Sequence, residues 1–311
     1  MKIRVPLIIR GIAVIVHAAR DVEATTVREL VILRRRLLLR STLSKGAAAT
    51  LNTTFQLPGF GLCLVKLNNP WGNSVSTQST VTTDRTDVIL GGTSGIGKEI
   101  VKTLAAQGTT VYLSGRTTET AHAAAREIGL GTIGIAVDLA EPETIANSLA
   151  DIGPVDYLVI PAIERDANTI ANYNVARAIR LVTLKLVGYT EAIHVLQDRF
   201  TADASIVLFG GLAMQRPYPG STTVSTVNGG VVGLVNSLTT ELAPVRINAI
   251  HPGIIGDSPF WEDKDNSHIV GRTPLGRLVT MQEIVHSVEF LLDNTGVNGV
   301  NLAMDGGWLR K

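Results

Sequence analysis

The pattern of apolar and polar residues becomes regular near residue 87. Asp87–Leu90 is a short apolar run that leads into a glycine-rich segment, Gly91–Gly97, and it predicts a buried strand followed by a turn. A helix is predicted next, because apolar residues recur there at the spacing of one helix face and Gly108 follows them. Those residues are Ile100, Val101, Leu104 and Ala105. Thr109–Ser114 then predicts a second strand.

The residues ahead of this unit carry no comparable signal. Leu7–Ala19 is apolar, but Arg10 interrupts it and it is too short to span a bilayer. Residues 41–83 show no sustained period of either 3.6 or 2, and Ser, Thr and Asn dominate them. We therefore predict an irregular, poorly packed or disordered N-terminal extension over residues 1–83 and one domain over residues 84–311.

Three interpretations of the extension remain open. Lys2 and Arg4 ahead of the apolar segment are typical of a secretory signal, and the arginines between residues 28 and 40 are typical of an organelle transit peptide. The third interpretation is a translation start at Val75, since the chain leads from there directly into the first predicted strand and no Met lies between Met1 and Met214.

Charge separates the same two parts. The chain of 311 residues has a net charge of +1, but residues 1–83 contain eleven Lys and Arg against three acids, and residues 84–311 contain seventeen against twenty-four. A mildly acidic domain does not attract nucleic acid, and 45% apolar residues suit one soluble core without a membrane. The single cysteine, Cys63, fits a reducing compartment, so we expect a cytoplasmic protein, or an imported one if the extension is a transit peptide.

The glycine segment has the spacing of a phosphate-binding turn. Gly91 allows a sharp exit from the strand, Gly95 lets the backbone approach a pyrophosphate, and Gly97 permits close packing of the helix. The helix N-terminus attracts an anion, and Thr93 and Ser94 add hydroxyl donors. A strand, glycine turn, helix and strand in this order indicate an α/β fold, namely a single doubly wound Rossmann domain with a parallel sheet.

The end of the second strand distinguishes the two nicotinamide nucleotides. A site for NAD has an acid there that binds the ribose hydroxyls. This chain has Gly115 followed by Arg116, with no carboxylate beside it. A guanidinium suits a 2′-phosphate, which an acid repels. The sequence therefore predicts NADP(H), and a solvated turn arginine is the alternative interpretation of Arg116.

Residues 87–307 resemble the short-chain dehydrogenase/reductase family. The spacing of Gly91, Gly95 and Gly97 matches the family's glycine motif. The apolar segment before Asp138 is similar to the family's third strand, and the resemblance implies that this acid contacts the adenine ring. The alternative role for Asp138 is the N-cap of the helix predicted directly after it.

Later segments follow the family's order. Asp156–Ala162 is similar to the fourth strand and to an Asn-Asn-Ala-Gly motif of which only Ala162 remains, and Pro252-Gly253 resembles the loop beside the nicotinamide. The fifth, sixth and last strands of the family correspond to Ser205–Phe209, Arg246–Ile250 and Gly299–Gly307. The residues expected to contact the nucleotide are Gly91, Thr93, Ser94, Gly95, Ile96, Gly97, Arg116, Asp138, Leu139, Ala162, Pro252, Gly253 and Ile255.

The resemblance fails at the residues that carry the family's chemistry. The family uses a tyrosine whose pKa is lowered by a lysine four residues later, a serine that holds the substrate oxygen, and an asparagine on the preceding helix. Here the serine position is Gly211, the tyrosine position is Val224 and the lysine position is Asn228. The asparagine position is Lys185, or Thr183 after a shift of two residues.

On the first of these alignments the amide and the ammonium have exchanged places. We hypothesise that Lys185 supplies the electrostatic role of the missing lysine and that Asn228 binds the ribose; the alternative is a surface lysine on an amphipathic helix. Ser225 is a third catalytic candidate, although an alkanol hydroxyl is a poor acid without a strong partner. Tyr218 lies in a loop that either folds over the pocket or packs against proline.

Two functions follow from these observations. One is an NADP(H)-dependent oxidoreductase that interconverts a carbonyl and an alcohol, with a rearranged or substrate-assisted proton source. The sequence does not identify its substrate. The other is a catalytically inactive nucleotide-binding sensor or oligomer partner. The helices over residues 175–200 and 224–242 resemble the family's dimerising pair, which implies a homodimer or homotetramer, and residues 257–273 resemble its substrate lid. The six histidines and the single cysteine show no metal spacing, so we expect no metal.

Overall fold

The structure is a computed structural model that describes residues 3–9, 12–18, 54–55, 63–64 and 84–310. The chain divides into two units, Met1–Thr80 and Val81–Lys311. In the first unit, β1 (Ile3–Ile9) pairs antiparallel with β2 (Ile12–Ala18), and β3 (Thr54–Phe55) pairs antiparallel with β4 (Cys63–Leu64). The remainder of the predicted irregular extension, including the segment at Val75, lies outside the described residues.

The second unit is built on one parallel sheet of seven strands. Their order across the sheet is β11-β10-β9-β8-β5-β6-β7, and all six neighbouring pairs are parallel. This order confirms the predicted α/β Rossmann fold with a parallel sheet. The strands are β5 (Thr86–Ile89), β6 (Thr110–Gly115), β7 (Ile133–Ala136), β8 (Val155–Ile160), β9 (Phe200–Phe209), β10 (Arg246–Pro252) and β11 (Asn301–Met304).

Helices follow the strands and cover both faces of the sheet. They are α1 (Gly95–Ala105), α2 (Thr118–Ile128), α3 (Ile145–Ser148), α4 (Val175–Val182), α5 (Tyr189–Leu196), α6 (Thr222–Glu241), α7 (Ser267–Val270) and α8 (Met281–Asp293). The helix predicted over residues 175–200 is interrupted by a π-helical turn, Thr183–Gly188, that joins α4 to α5. Within the described part of the chain, no helix has the length and apolar character needed to cross a membrane.

Two apolar cores form because successive strand residues point to opposite faces of the sheet. Val88 belongs to the core beneath α3, α5 and α6, whereas its neighbour Ile89 belongs to the core beneath α1, α2 and α8. Leu158 likewise belongs to the first of these cores and its neighbour Val159 to the second. Burial on both faces explains why the central strands are continuous apolar runs in the sequence.

The direction of winding reverses between β5 and β8. The chain runs from β5 outward through β6 to β7, then returns to β8 on the other side of β5. In open α/β sheets a ligand binds at such a reversal, outside the carboxyl ends of the strands. The glycine turn leaves β5 at this edge, and its Gly91 lies against Ala162, which follows β8.

Candidate functional site

The glycine turn is tied to the neighbouring strand by its backbone. The Gly91 N–H donates to the Ser114 hydroxyl at 2.9 Å, and the Gly92 N–H donates to the Ser114 carbonyl at 3.1 Å. Ser94 is the N-cap residue of α1, and its hydroxyl makes no capping hydrogen bond within the described chain. The first N–H groups of α1 therefore lack a capping bond from Ser94, and a helix N-terminus of this kind can bind an anion.

Two glycines of the turn differ in the space around them. A Cβ on Gly97 would lie 2.0 Å from the Gly91 carbonyl oxygen, so this position admits no side chain. A Cβ on Gly95 would meet no heavy atom within 4 Å, and Gly95 has a φ of +51°. Gly97 therefore closes the turn on itself, while Gly95 leaves an open surface that a phosphate can approach.

Arg116 has a carboxylate neighbour that the local sequence does not reveal. Its Nη1 lies 3.6 Å from Oε1 of Glu164, which follows β8, and the Arg116 side chain is 71% exposed. This contact corrects the premise that no carboxylate neighbours Arg116. The two residues are distant in sequence, and only the pairing of β5 with both β6 and β8 brings them together.

Asp138 is engaged through both oxygens of its carboxylate. Oδ1 accepts from the Ala140 N–H at 2.9 Å, which closes the turn after β7. Oδ2 accepts from Nη2 of Arg180 at 2.9 Å. The Arg180 guanidinium also binds Glu164, with Nε 2.9 Å from Oε2 and Nη2 2.7 Å from Oε1. Arg180 on α4 thus links the acid predicted at the adenine to the acid beside Arg116.

Four further residues predicted at the nucleotide lie along the same edge of the sheet. The Gly253 N–H donates to the Met304 carbonyl at 2.8 Å, and Ile255 forms a parallel bridge with Val279. Pro252 ends β10. Leu139 is buried beside the turn after β7. The residues matched to the family's nucleotide contacts therefore share the carboxyl edge, where a ligand could touch them together.

Asn228 lies against the glycine that replaces the family's serine. The Asn228 side chain is 2% exposed, and a Cβ on Gly211 would lie 2.7 Å from its Nδ2. Its Oδ1 is buried without a hydrogen-bond partner among the described residues. An unsatisfied buried carbonyl oxygen costs free energy, so a donor from a bound molecule would stabilise it.

Lys185 is buried at the carboxyl end of β9. It is 1% exposed, and its Nζ donates to the Phe209 carbonyl and to the Tyr189 hydroxyl, the latter at 3.2 Å. Burial lowers the pKa of Lys185 to about 7. The alternative of a surface lysine is therefore wrong. Lys185 and Asn228 approach the same strand end, but they contact different residues of it.

Tyr189 is a buried partner of Lys185 that the sequence reasoning missed. Its hydroxyl donates to the Ala162 carbonyl at 2.7 Å, so the pair joins the ends of β8 and β9. Lysine and tyrosine stand four residues apart, the family's spacing in reverse order, and this was the available signal. Burial raises the pKa of Tyr189, and its proton is already donated within the fold. The pair is positioned to brace the site and not to protonate a substrate.

His251 completes the support of the Gly211 backbone. The Gly211 N–H donates to Nδ1 at 3.2 Å, and Nε2 lies 2.9 Å from Oδ1 of Asn301 on β11. Burial lowers the pKa of His251, and this hydrogen-bond pattern assigns the proton to Nε2. These contacts give His251 a structural role.

Ser225, the third catalytic candidate, is engaged in hydrogen bonds within the fold. The Ser225 hydroxyl donates to the Ala213 carbonyl and contacts the Ser221 hydroxyl, both at 2.9 Å. Tyr218 is 54% exposed in the loop before α6. Val224, at the family's tyrosine position, offers no proton. The hydrogen bonds of Ser225 thus serve the start of α6.

Comparison of the chain with known proteins finds similarity to one family. A family model described as Enoyl-(Acyl carrier protein) reductase matches residues 91–309. The 3-oxoacyl-[acyl-carrier-protein] reductase of Mus musculus is 28% identical over 231 residues, covering 72% of this chain and 98% of that protein. Carbonyl reductase family member 4 of Xenopus laevis is 31% identical over 231 residues, covering 70% of this chain and 95% of that protein.

Solved structures agree with the sequence matches. A short-chain dehydrogenase/reductase of Brucella melitensis, titled SDR:Glucose/ribitol dehydrogenase, has a TM-score of 0.68 and 26% identity, over 74% of this chain and 99% of that one. The chain belongs to the short-chain dehydrogenase/reductase family, whose members use NAD(P)(H). Its relatives include proteins named as reductases of carbonyl compounds.

Proposed function

We propose that this protein is an NADP(H)-dependent oxidoreductase acting on a carbonyl/alcohol pair, with an atypical active site. The observation that carries the proposal is the buried, unpartnered Oδ1 of Asn228 beside Gly211. A ribose hydroxyl is the kind of donor that would satisfy this oxygen. The open surface at Gly95 gives a phosphate access to the helix N-terminus at the same edge of the sheet.

The chain's own residues would hold the nucleotide in two places. The turn from Gly91 to Gly97 would bind the pyrophosphate through backbone N–H groups, with Thr93 and Ser94 adding hydroxyls. Arg116 would bind the 2′-phosphate, which is the basis for preferring NADP(H). When bound, the nicotinamide supplies or accepts a hydride.

Lys185 would act on the site through its charge. Its amine is fixed on the Phe209 carbonyl, two residues before Gly211, and its pKa of about 7 lets it carry a partial positive charge at neutral pH. A charge in a buried position has a stronger field than one in water. It would stabilise negative charge that develops on a substrate oxygen near Gly211.

The proton that the reaction needs must come from a group other than the residues at the family's catalytic positions. Gly211 and Val224 have no ionisable group, and the amide of Asn228 is not an acid. A substrate with its own acidic group, or a water admitted to the site, would supply it. This chemistry favours substrates whose alcohol is already acidic or hydrogen-bonded internally.

A second function is favoured by the same replacements. With Gly211, Val224 and Asn228 at the catalytic positions, the domain could bind nucleotide without turnover, as a sensor or an inactive partner in an oligomer. Assembly as a homodimer or homotetramer is supported by α4 and α6. Val175 and Ile179 are exposed one turn apart on α4, and Gly229 and Gly233 leave open space on α6.

The two functions are separated by titration and assay of the full chain. NADPH and NADH are titrated calorimetrically, and turnover is measured with a 3-oxoacyl thioester, L-xylulose and simple diketones. Nucleotide binding with turnover that is lost in Lys185→Met, while binding is kept, supports the oxidoreductase. Binding without turnover on any substrate supports the sensor. Failure to bind either nucleotide would contradict both.

A further inference from the structure

Three carboxylates and two guanidiniums meet beside the predicted adenosine site. Arg180 binds Glu164 and Asp138 at 2.7 Å and 2.9 Å, and its Nη1 lies 3.8 Å from Glu141. Arg116 approaches Glu164 at 3.6 Å. We call these five residues the adenosine-edge cluster; it carries a net charge of −1.

We propose that Glu164 is a specificity residue that weakens binding of the 2′-phosphate of NADPH, and that Arg180 is a positioning residue that limits this effect. The proposal rests on the proposed function and deepens it. It concerns the choice between NADPH and NADH, since only the first carries a phosphate that needs Arg116.

Charge balance is the first argument. A phosphate monoester brings a charge of roughly −1.5 to −2 at neutral pH. It would enter a cluster that is already negative, and the carboxylate nearest Arg116 would repel it. NADH brings no charge to this position, so Glu164 penalises one nucleotide and not the other.

The geometry of Glu164 is the second argument. Its Oε1 is shared between Arg180 at 2.7 Å and Arg116 at 3.6 Å. A phosphate on Arg116 would have to share that guanidinium with Oε1 or displace it. Arg180 holds both oxygens of Glu164, and this two-point contact keeps the carboxylate from closing further on Arg116.

Arg180 also controls the second acid. Because it binds Asp138 with the same Nη2 that binds Glu164, its loss would leave two carboxylates without their guanidinium partner. Both would then act on Arg116 and on an incoming phosphate. The side chains of Glu164 and Asp138 are 25% and 23% exposed, so water screens part of the effect.

Calorimetric titration of the full chain with NADPH and NADH tests the proposal. Glu164→Gln is expected to lower the Kd for NADPH by about threefold, the size of a partly exposed charge contact, and to leave the Kd for NADH unchanged. Arg180→Met is expected to raise the Kd for NADPH more than that for NADH. The Kd for adenosine 2′,5′-bisphosphate should change in each variant as the Kd for NADPH does, and the Kd for AMP should change as the Kd for NADH does.

Arg177→Gln is the matched control. Arg177 lies on the same helix and contacts a different acid, Asp166, at 3.5 Å, so its loss should leave the ratio of the two Kd values unchanged. Equal shifts for NADPH and NADH in Glu164→Gln would overturn the proposal while leaving the proposed function intact. If the wild type binds neither nucleotide, both this proposal and the proposed function are contradicted. Glu164→Gln carries the test alone if Arg180→Met does not fold.

Discussion

The glycine turn after β5 and the carboxyl end of β9 belong to one edge of one sheet, yet they depart from their family to different degrees. The turn keeps all three glycines of the motif, and the binding proposed for it depends on backbone N–H groups and on space that a Cβ would fill. The end of β9 presents Gly211, facing Asn228, where the family has serine and lysine. A binding turn depends on backbone geometry, whereas proton transfer depends on the identity of single side chains. One can therefore persist where the other is replaced.

The largest effect is expected from breaking the turn. Gly97→Ala places a Cβ 2.0 Å from the Gly91 carbonyl oxygen, and the backbone must move, at a cost of about 3 kcal/mol in the free energy of unfolding. Gly95→Ala meets no atom within 4 Å, so only its positive φ opposes it, at about 1 kcal/mol. Urea unfolding measures both. Equal stability of the two variants would contradict this description of the turn.

The second effect concerns Lys185 and pH. The pKa of its amine is about 7 in the fold and near 10.5 when unfolded, so between these values the unfolded chain binds the extra proton. The free energy of unfolding should rise by about 2 kcal/mol from pH 7 to pH 9 through this residue. Below pH 7 the amine is charged in both states, so the full free-energy cost of burying its charge is present. Lys185→Met should remove this rise.

Lys102→Met serves as the control for that measurement. Lys102 lies on α1 with a side chain that is 46% exposed, so its replacement should leave the pH profile of wild type unchanged. Urea unfolding at pH 7, 8 and 9 compares the three proteins. An unchanged slope in Lys185→Met would show that the amine is not desolvated in the fold.

A smaller effect tests whether the two replacements at the end of β9 depend on each other. Gly211→Ser puts a Cβ 2.7 Å from Nδ2 of Asn228, and the amide must turn away, at a cost of about 1 kcal/mol. In Gly211→Ser/Asn228→Ala that contact is absent, so a double-mutant cycle should show coupling of about 1 kcal/mol. Additive effects would contradict a steric contact between a side chain at position 211 and the Asn228 amide.

The smallest effect is expected at Ser225. Ser225→Ala removes hydrogen bonds to Ala213 and Ser221 and should lower the free energy of unfolding by about 1 kcal/mol. Turnover and nucleotide affinity should stay at the wild-type values, because the hydroxyl serves the start of α6. Loss of turnover with intact binding would return Ser225 to the active site.

Much of the fold was accessible from local patterns. The strands β5 and β6 lie within a residue of the positions that their apolar runs predicted, because such runs between turns mark strands that are buried on both faces. The positions of β8 and β10 were expected from the resemblance to the family, and both strands lie within two residues of them. The interruption of the helix over residues 175–200 was not predicted, since a π-helical turn has no simple sequence period. The pairing of Lys185 with Tyr189 was missed although its spacing of four residues was visible in the sequence, because the two residues stand in the reverse of the family's order.

The sequence by itself determined the order of the elements, the glycine turn and the absence of serine, tyrosine and lysine from Gly211, Val224 and Asn228. These are properties of neighbours along the chain. Only the tertiary structure decided that Lys185 is buried and that Glu164 stands beside Arg116, because both depend on residues that the parallel sheet brings together from distant segments. The charge around a site is a sum over space, and the chain order does not contain it.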